Sequence, residues 1–464
     1  MLGVAKLNRF LTALAVVMTF ARMTTPASAA TQQAYVKASN TGADDQFGYS
    51  VAISGNTMIV GASREDSNAT GVNGDQTNNA ARDAGATYIF VRDGTNWSQQ
   101  AYVKPSEPTG YFGRWVAISG DTALICGPAI WVFVRDGTNW SQQAILEGGV
   151  GIKNFAAISG DTVVALTYPM GAYVYSRTGT NWTQQAFLIA PAAWTVAVDG
   201  DVAVVGSYDG HASIFTRTGT NWSRQAYLTD VSYDYESVAV SGETVVLSGQ
   251  DSAYIYARNG TNWAREATLQ PPYFEDGPNY ENFGTSVSVS GNVVAVGAGA
   301  DNGEEDSIAT LVFVRCGTNW TLRVQLMETY ATNPYYDGGS GSCVAVSGET
   351  VVVGKPFEHF NATGVNAEIT GVASESGAAF VYTGPFNYVS EEVSPRLFLI
   401  PDHSGGYYLD FHGAPNMTYQ VQRAPSVTGP WTTNATFTTV CPGPIEFHDT
   451  NAPSGQAFYR VAQQ

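Results

Sequence analysis

The chain has 464 residues, with 40 acidic against 22 basic side chains and a formal net charge of -18. Only 13% of its residues are charged and 49 are glycines, a composition that favours a β-rich, turn-rich protein over a helical or disordered one. Because phosphate binding depends on lysine and arginine, this charge argues against nucleic acid and anionic membranes as partners. Cations and basic surfaces suit it better.

The first 30 residues have the pattern of a cleaved secretory signal. Lys6 and Arg9 precede the apolar run 10–18, and the small residues 27–30 follow it. This run is short for a membrane span, and no later segment is long enough to cross a bilayer as a helix. We therefore expect a secreted, extracellular or cell-surface protein of bacterial type, without a transmembrane segment after signal cleavage.

Residues 31–388 repeat one unit seven times. Each unit contains a stretch like Val-Ala-Ile-Ser-Gly, first at 51–55, and six units contain a Gly-Thr-Asn-Trp turn, first at 94–97. In the first unit the pattern predicts strands at 49–54, 57–62, 86–92 and 97–104, joined by tight glycine turns. Repeated four-stranded units packed face to face predict a β-propeller, and the tryptophans of the turns are expected to pack between its blades.

The first strand of the mature chain is predicted to belong to the last repeat. Residues 31–37 copy the fourth-strand sequence at 98–104, whereas the seventh unit ends near Tyr382 without a fourth strand of its own. We expect residues 31–37 to supply it and to close the ring. The predicted fold is all-β: a seven-bladed β-propeller of four-stranded blades closed by the N-terminal strand, followed by a small β-sandwich-like domain.

The repeated units resemble FG-GAP repeats, the family that builds the seven-bladed propeller of integrin α subunits. The matching pairs are Phe47–Gly48, Phe112–Gly113 and Phe283–Gly284, with imperfect matches to the second half of the signature at 61–63, 297–299 and 354–356. The resemblance implies a propeller over residues 31–388. Integrins carry a calcium loop between the first two strands of some blades, but here that connection is a turn such as 54–57. It has no room for six or more oxygen ligands, so those calcium sites are not carried over.

A linker at 389–395 separates the repeats from residues 396–464, which alternate as a further set of strands at 407–411, 418–422 and 457–461. This region resembles the small β-sandwich module that closes many secreted bacterial repeat proteins. The resemblance implies a role in surface display or attachment.

No catalytic constellation stands out in the sequence. Of the five histidines, only His211 and His359 lie in the repeats, and there is no nucleophile elbow, zinc-protease motif or phosphate loop. The sequence therefore predicts neither an enzyme nor a cofactor. Cys126 is expected to be a buried small residue, and a Cys316–Cys343 disulfide is left open because sequence cannot establish its geometry.

The long insertions follow second or fourth strands, so we expect them on one face of the ring, in blades 6, 7 and 1. They span 63–85, 269–282, 300–308, 328–341 and 357–377. Long loops on a rigid scaffold are where function concentrates. Residues 68–73, Asn-Ala-Thr-Gly-Val-Asn, recur at 361–366, so blades 1 and 7 are predicted to share a loop design.

Two sets of residues on these loops are candidates. The candidate calcium ligands are Asp301, Glu304, Glu305, Asp306, Glu65, Asp66 and Asp75, whose carboxylates suit a hard cation. The candidate partner-binding residues are Asn68, Asn73, Asp83, Glu275, Asp276, Glu358, Asn361 and Asn366. The alternative is a solvated acidic surface that keeps the protein soluble.

The leading hypothesis is a secreted, non-enzymatic binding or adhesion propeller that recognises an extracellular protein or glycan through the long-loop face of blades 6, 7 and 1. One alternative is a carbohydrate-active hydrolase or lyase with its site at the axis. Another is a structural envelope protein. Polar residues converging on the axis from several blades would favour the enzyme, and a lopsided loop face would favour binding.

Overall fold

The computed structural model describes residues 30–463 apart from 108, 147–151, 168, 230–236, 250, 272–282, 299–308, 327–342, 385, 387–397, 402–406, 414–416, 427, 440–442 and 451–457. Regular secondary structure in these residues consists of β-strands alone. Nowhere among them does an apolar helix reach membrane-spanning length.

The first repeat forms one antiparallel sheet, called sheet 1, which follows the N-terminal strand β1 (Thr31–Val36). Its strands pair in chain order: β2 (Phe47–Ser54), β3 (Thr57–Ala62), β4 (Ala86–Asp93) and β5 (Asn96–Val103). The four strands predicted for this unit are confirmed to within two residues at each end. Strand β3 is buried along its whole length, as expected for an inner strand with packing on both faces.

Five further sheets, called sheets 2 to 6, repeat this order. Sheet 2 contains β6 (Trp115–Ser119), β7 (Thr122–Cys126), β8 (Ile130–Asp136) and β9 (Asn139–Leu146). Sheet 3 contains β10 (Ile152–Ser159), β11 (Thr162–Thr167), β12 (Gly171–Thr178) and β13 (Asn181–Ile189). Sheet 4 contains β14 (Ala193–Asp199), β15 (Val202–Ser207), β16 (Ala212–Thr218) and β17 (Asn221–Leu228). Sheet 5 contains β18 (Val238–Ser241), β19 (Thr244–Gly249), β20 (Ser252–Asn259) and β21 (Asn262–Leu269). Sheet 6 contains β22 (Ser286–Ser290), β23 (Val293–Ala298), β24 (Ala309–Cys316) and β25 (Asn319–Leu326).

Sheet 7 combines the two ends of the repeat region. It contains β26 (Cys343–Ser347), β27 (Thr350–Lys355), β30 (Ala378–Thr383) and, on its outer edge, β1. The loop between β27 and β30 carries a small hairpin of β28 (Phe360–Asn361) and β29 (Gly371–Val372). Strand β1 pairs antiparallel with β30, the pairing predicted from the copied sequence.

The inner strands of neighbouring sheets are joined by one repeated hydrogen bond. The N–H of the glycine in each tight turn donates to the side chain that ends the first strand of the neighbouring sheet. The seven donor–acceptor pairs, at 2.7–3.1 Å, are Gly120–Ser54, Gly160–Ser119, Gly200–Ser159, Gly242–Asp199, Gly291–Ser241, Gly348–Ser290 and Gly55–Ser347. The last of these joins sheet 1 to sheet 7, and strand β2 also contacts β26.

The outer strands are joined by the hairpin tryptophans. In sheets 1 to 6 an arginine lies over each indole, with its guanidinium carbon 5.1–6.0 Å from the ring centroid. The indole N–H donates to the outer strand of the preceding sheet at 2.7–3.1 Å, in the pairs Trp97–Gln33, Trp140–Gln100, Trp182–Gln143, Trp222–Gln185, Trp263–Gln225 and Trp320–Glu266. The prediction that these tryptophans pack between repeats is confirmed. Each satisfies its only polar atom while the guanidinium covers the ring.

The C-terminal region contains two three-stranded sheets. The strands are β31 (Phe398–Pro401), β32 (Tyr407–Gly413), β33 (Met417–Ala424), β34 (Thr432–Thr439), β35 (Gly443–Asp449) and β36 (Phe458–Gln463), in the orders β31-β32-β35 and β34-β33-β36. One hydrophobic core, with Leu409, Tyr419 and Val421 at its centre, includes side chains from both sheets. The buried Asp449 also links them, because it accepts hydrogen bonds from Arg423 at 2.6 Å and Tyr459 at 2.8 Å.

The cysteines differ in part from the expectation. Cys126 is buried, as expected, and burial raises the pKa of its thiol to about 12. Cys343 is a free thiol, so the Cys316–Cys343 disulfide considered above is wrong. The reason is topological: Cys316 ends β24 beside a hairpin turn, whereas Cys343 begins β26 at the opposite end of its sheet.

Candidate functional site

Two long loops extend from adjacent sheets on the same face of the molecule. Residues 63–85 join β3 to β4 in sheet 1, and residues 356–377 join β27 to β30 in sheet 7. Asn73 donates its N–H to Tyr102 O at 2.7 Å and accepts the Tyr102 N–H on Oδ1 at 3.0 Å. Asn366 makes the same two bonds to Tyr35, at 2.7 and 2.8 Å. The shared loop design predicted from the repeated hexapeptide is therefore confirmed.

The backbone of the repeated hexapeptide explains its composition. Asn73 and Asn366 have φ of 57° and 52°, and the glycines two residues earlier, Gly71 and Gly364, have φ of 74° and 85°. Glycine and asparagine are the residues that tolerate this left-handed region best. The hexapeptide thus fixes a turn that aims the asparagine amide at the outer strand.

A buried ion pair lies beneath the loop of sheet 1. Glu65 Oε2 is 2.7 Å from Lys104 Nζ, and both side chains are almost fully buried. Glu65 Oε1 accepts hydrogen bonds from the Tyr102 hydroxyl and the Asn40 amide, each at 2.9 Å. Burial lowers the pKa of Lys104, and the attraction of Glu65 opposes that shift.

The loop of sheet 7 repeats this arrangement. Glu358 Oε2 is 2.5 Å from Lys37 Nζ, and the Tyr35 hydroxyl donates to Glu358 Oε1 at 3.1 Å. Tyr35 and Lys37 are two residues apart, so their side chains point to the same face of the extended chain. Tyr102 in β5 and Lys104, which directly follows β5, are related in the same way. Burial lowers the pKa of Lys37, again opposed by its glutamate partner.

Two more buried charges lie close to these pairs. Asp45 is 4% exposed and accepts the Gly42 N–H at 2.8 Å. Burial, together with repulsion from Glu65 and Asp66, raises the pKa of Asp45 to about 7, against the opposing effects of the Gly42 N–H and Lys104. Lys355, at the end of β27, is 5% exposed, and burial lowers its pKa to about 7 against the attraction of Glu358.

Each long loop ends against a Phe-Gly pair of the next sheet. The Phe47 N–H donates to Ser376 O at 3.0 Å, and the Phe112 N–H donates to Ala84 O at 3.1 Å. A Cβ on Gly48 would lie 2.1 Å from a backbone carbonyl oxygen of sheet 7. The sheets approach so closely here that only glycine fits, and this explains why a glycine follows the phenylalanine in the Phe-Gly signature.

The family model of the FG-GAP repeat matches residues 30–90 and 263–313, which include the pairs Phe47–Gly48 and Phe283–Gly284. These two segments are similar to FG-GAP repeats. Their strand-rich architecture of four-stranded antiparallel sheets is consistent with a β-propeller.

Two solved structures resemble the chain at low identity. One is the crystal structure of the computationally designed Ika8 protein, with 13% identity, a TM-score of 0.46, and coverage of 75% of this chain and 99% of that chain. The other is the crystal structure of the Mitotic Checkpoint Complex, with 13% identity, a TM-score of 0.47, and coverage of 75% and 94%. No curated protein matches the chain significantly.

The predicted calcium ligands of the loop 63–85 accept hydrogen bonds from other groups of the protein. Glu65 forms the buried ion pair with Lys104. Asp66 Oδ1 accepts the Asp83 N–H at 2.8 Å. Asp75 is exposed and accepts the Thr77 hydroxyl and N–H at 2.6 and 2.9 Å, and these bonds lower its pKa. Over the described ranges, no three His, Cys, Asp or Glu residues are grouped to hold a metal ion. Asp301, Glu304, Glu305 and Asp306 lie outside those ranges, and the calcium site stays a prediction.

The predicted partner-binding residues divide between structural and exposed positions. Asn73, Asn366 and Glu358 hold the loops, and the backbone oxygen of Asp83 accepts the Tyr111 N–H at 2.8 Å. Asn68 is exposed, and Asn361 is half-buried in β28. Glu275 and Asp276 lie outside the described residues.

Sequence reasoning missed the lysines that hold the two loops. Tyr35-Val36-Lys37 and Tyr102-Val103-Lys104 are the only Tyr-x-Lys segments among the seven outer strands and their ends, and they occur where the Asn-Ala-Thr-Gly-Val-Asn loops occur. This co-occurrence of Tyr-x-Lys segments with the repeated loops is the sequence signal that could have identified the lysines. It would have indicated that each loop glutamate pairs with a lysine of the adjoining outer strand.

The opposite face has a cleft of about 680 Å³ between sheets 7 and 1, lined by residues that include Gln33, Arg92, Glu349 and Gly384. Gly384 takes in sheet 7 the position that Arg92 takes in sheet 1, since each N–H donates to the backbone oxygen of its own tight turn. Because Gly384 has no side chain, sheet 7 lacks the arginine that in sheet 1 reaches Thr350 of the preceding sheet.

Proposed function

We propose that the seven sheets are the blades of one closed β-propeller. The support is that sheet 1 and sheet 7 are joined in the same way as consecutive sheets, through Gly55 and Ser347 on the inside and Trp97 and Gln33 on the outside. Strand β1 then ties the start of the repeat region to its end. Closure leaves no sheet face of the ring uncovered.

We propose further that the protein is secreted or displayed at the cell surface and is a non-enzymatic binding or adhesion protein. Its partner is an extracellular protein or glycan, recognised through the long-loop face of sheets 6, 7 and 1. The observation that carries this proposal is the pair of loops at 63–85 and 356–377, each fastened by a buried glutamate–lysine pair and a tyrosine. Fastened loops lose little conformational entropy on binding, which favours affinity.

The exposed groups of these loops suit such a partner. Asn68, Thr70 and Thr363 present amide and hydroxyl groups, and Glu368 presents a carboxylate, all on exposed residues. Such groups hydrogen-bond sugar hydroxyls or the polar rim of a protein. Calcium held by the loops of Glu65–Asp75 and Asp301–Asp306 remains part of the proposal, to be tested by calorimetry and thermal melting at millimolar calcium.

The test is a glycan and extracellular-matrix array probed with the mature protein and two variants. The loop variant replaces Asn68, Thr70, Thr363 and Glu368 by Ala. The control variant replaces Asn96 and Asn181, exposed hairpin residues on the opposite face, by Ala. The proposal predicts that some array spots bind the wild type and the control variant but do not bind the loop variant. Identical patterns for all three proteins, or no bound spot, would contradict it.

A further inference from the structure

One position of the outer strand is covered in two sheets and bare in three. Tyr102 of β5 and Tyr35 of β1 are 2% and 5% exposed, beneath the two long loops. The residues in the same register of β9, β13 and β17 are Ile145, Phe187 and Tyr227, which are 42%, 37% and 49% exposed. Sheets 2 to 4 have only short connections between their second and third strands, so no loop covers this position there.

The two long loops show what covers this position when it is covered. Val72 forms an antiparallel bridge to Val103, and the Lys104 N–H donates to Gly71 O at 2.8 Å. Residues 71–73 thus act as a short fifth strand on the edge of β5. Residues 364–366 do the same on β1, through a bridge between Val36 and Val365. In both places the loop also brings a carboxylate to the tyrosine hydroxyl.

The edge of β17 offers the same groups without a loop. Tyr227 is half-exposed, and in the described part of the chain no strand or bridge pairs with the outer edge of β17. An outer edge presents unpaired backbone N–H and C=O groups, which are a template for strand addition.

The side chains around Tyr227 favour an acidic occupant. The Arg224 guanidinium carbon lies 5.3 Å from the Tyr227 ring centroid, and the His211 ring lies 5.3 Å from it on another element. Asp209 is the exposed acid of the adjoining turn. A carboxylate placed as Glu65 is placed in sheet 1 would accept from the Tyr227 hydroxyl and lie beside Arg224.

We propose that β17 accepts an extended, acidic segment of a partner protein as a fifth strand. The segment would bond to the backbone of residues 227–229 as residues 71–73 bond to β5, and its carboxylate would meet Tyr227 and Arg224. Tyr208, in the same β15–β16 connection as His211, is 47% exposed and offers apolar contact area. This surface is distinct from the long-loop face and does not depend on the function proposed for it.

The probe is a synthetic peptide with the chain's own template sequence, residues 63–75, titrated into the full mature protein by isothermal calorimetry. We expect saturable binding. Two altered peptides test the mode: Glu65→Gln removes the carboxylate, and N-methylation at Asn73 removes the N–H that would donate to Tyr227 O. Each should weaken binding about tenfold.

Variants of the protein locate the site. Tyr227→Ser and Arg224→Gln should each weaken binding of the peptide at least about tenfold. Ser223→Ala, an exposed position of the same strand near the hairpin, should leave it unchanged. Thermal melting of each variant confirms that the fold is intact.

Three results would overturn the proposal. One is the absence of saturable binding at millimolar peptide, and another is equal binding to the wild type and to Tyr227→Ser. The third is self-association of the wild type that Tyr227→Ser abolishes, because the occupant would then be a second copy of the chain.

Discussion

Replacing Glu65 by Gln is expected to loosen the loop of sheet 1 without unfolding the sheet. The substitution keeps the side-chain volume but leaves the Lys104 ammonium buried without the carboxylate that lies 2.7 Å away. Removing one partner of a buried ion pair typically costs about 3–5 kcal/mol. Asp45, a neighbouring buried acid, offsets part of this loss if it ionises beside Lys104. We therefore expect a loss of about 3 kcal/mol in the free energy of loop opening.

Amide hydrogen exchange measures this loss at the loop itself. The Tyr102 N–H donates to Asn73 Oδ1 and the Lys104 N–H donates to Gly71 O, so both amides exchange when the loop lifts. A loss of about 3 kcal/mol corresponds to roughly hundredfold faster exchange at these two amides. Amides of β12, far from the loop, should keep their rates.

The double variant Glu65→Gln/Lys104→Met is the control. It removes both charges and should restore most of the protection, because an apolar side chain carries no desolvation cost. Exchange at Tyr102 that rises less than about fivefold in the single variant would refute the reasoning. A double variant as loose as the single one would refute it as well.

Three further substitutions test other contacts. The pKa of Asp45 in the folded protein, about 7, is higher than the ordinary value of about 3.9. Between about pH 4 and 7 the folded state therefore keeps a proton that the unfolded state loses, and the stability of the fold decreases as the pH rises through this range. Asp45→Asn should remove that fall and raise the melting temperature at pH 8. The pKa of Lys355 is lowered to about 7 in the folded protein, whereas in the unfolded chain it is about 10.4. Between these two pH values the unfolded state binds a proton that the folded state lacks, so the stability of the fold increases with pH from about 7 to 10. Lys355→Met should therefore raise the melting temperature most at pH 6. Trp182→Phe removes the 2.9 Å hydrogen bond to Gln143 and weakens the contact with Arg177, so urea titration should show a loss of about 1–2 kcal/mol.

The sequence predicts the strands of the repeats well because each strand is local. Alternation, glycine turns and the recurring Gly-Thr-Asn-Trp hairpin specify β2 to β5 without reference to the rest of the chain. The pairing of β1 with β30 is also predicted, although the two strands are far apart in the chain. The reason is that residues 31–37 repeat the sequence of another outer strand.

The chemistry beneath the loops could not be predicted in the same way. Glu65 and Glu358 stand in acidic, polar segments, which read as solvated surface. Their burial depends on Lys104 and Lys37, and the first of these lies 39 residues away and the second 321 residues away. Only folded geometry shows that these acids are the anchors of the loops. Asp45 was missed for the same reason, since its burial comes from the surrounding sheets.

The central claim is that β1 joins sheet 7 to sheet 1, because this junction sets the two fastened loops side by side. The direct test is thermal melting of a mature protein that lacks residues 31–38, with and without a synthetic peptide of that sequence. Tyr35 and Val36 are buried in the junction, so the deletion should lower the melting temperature by at least about 10 °C, and the peptide should restore part of it. An unchanged melting curve would contradict the closed ring.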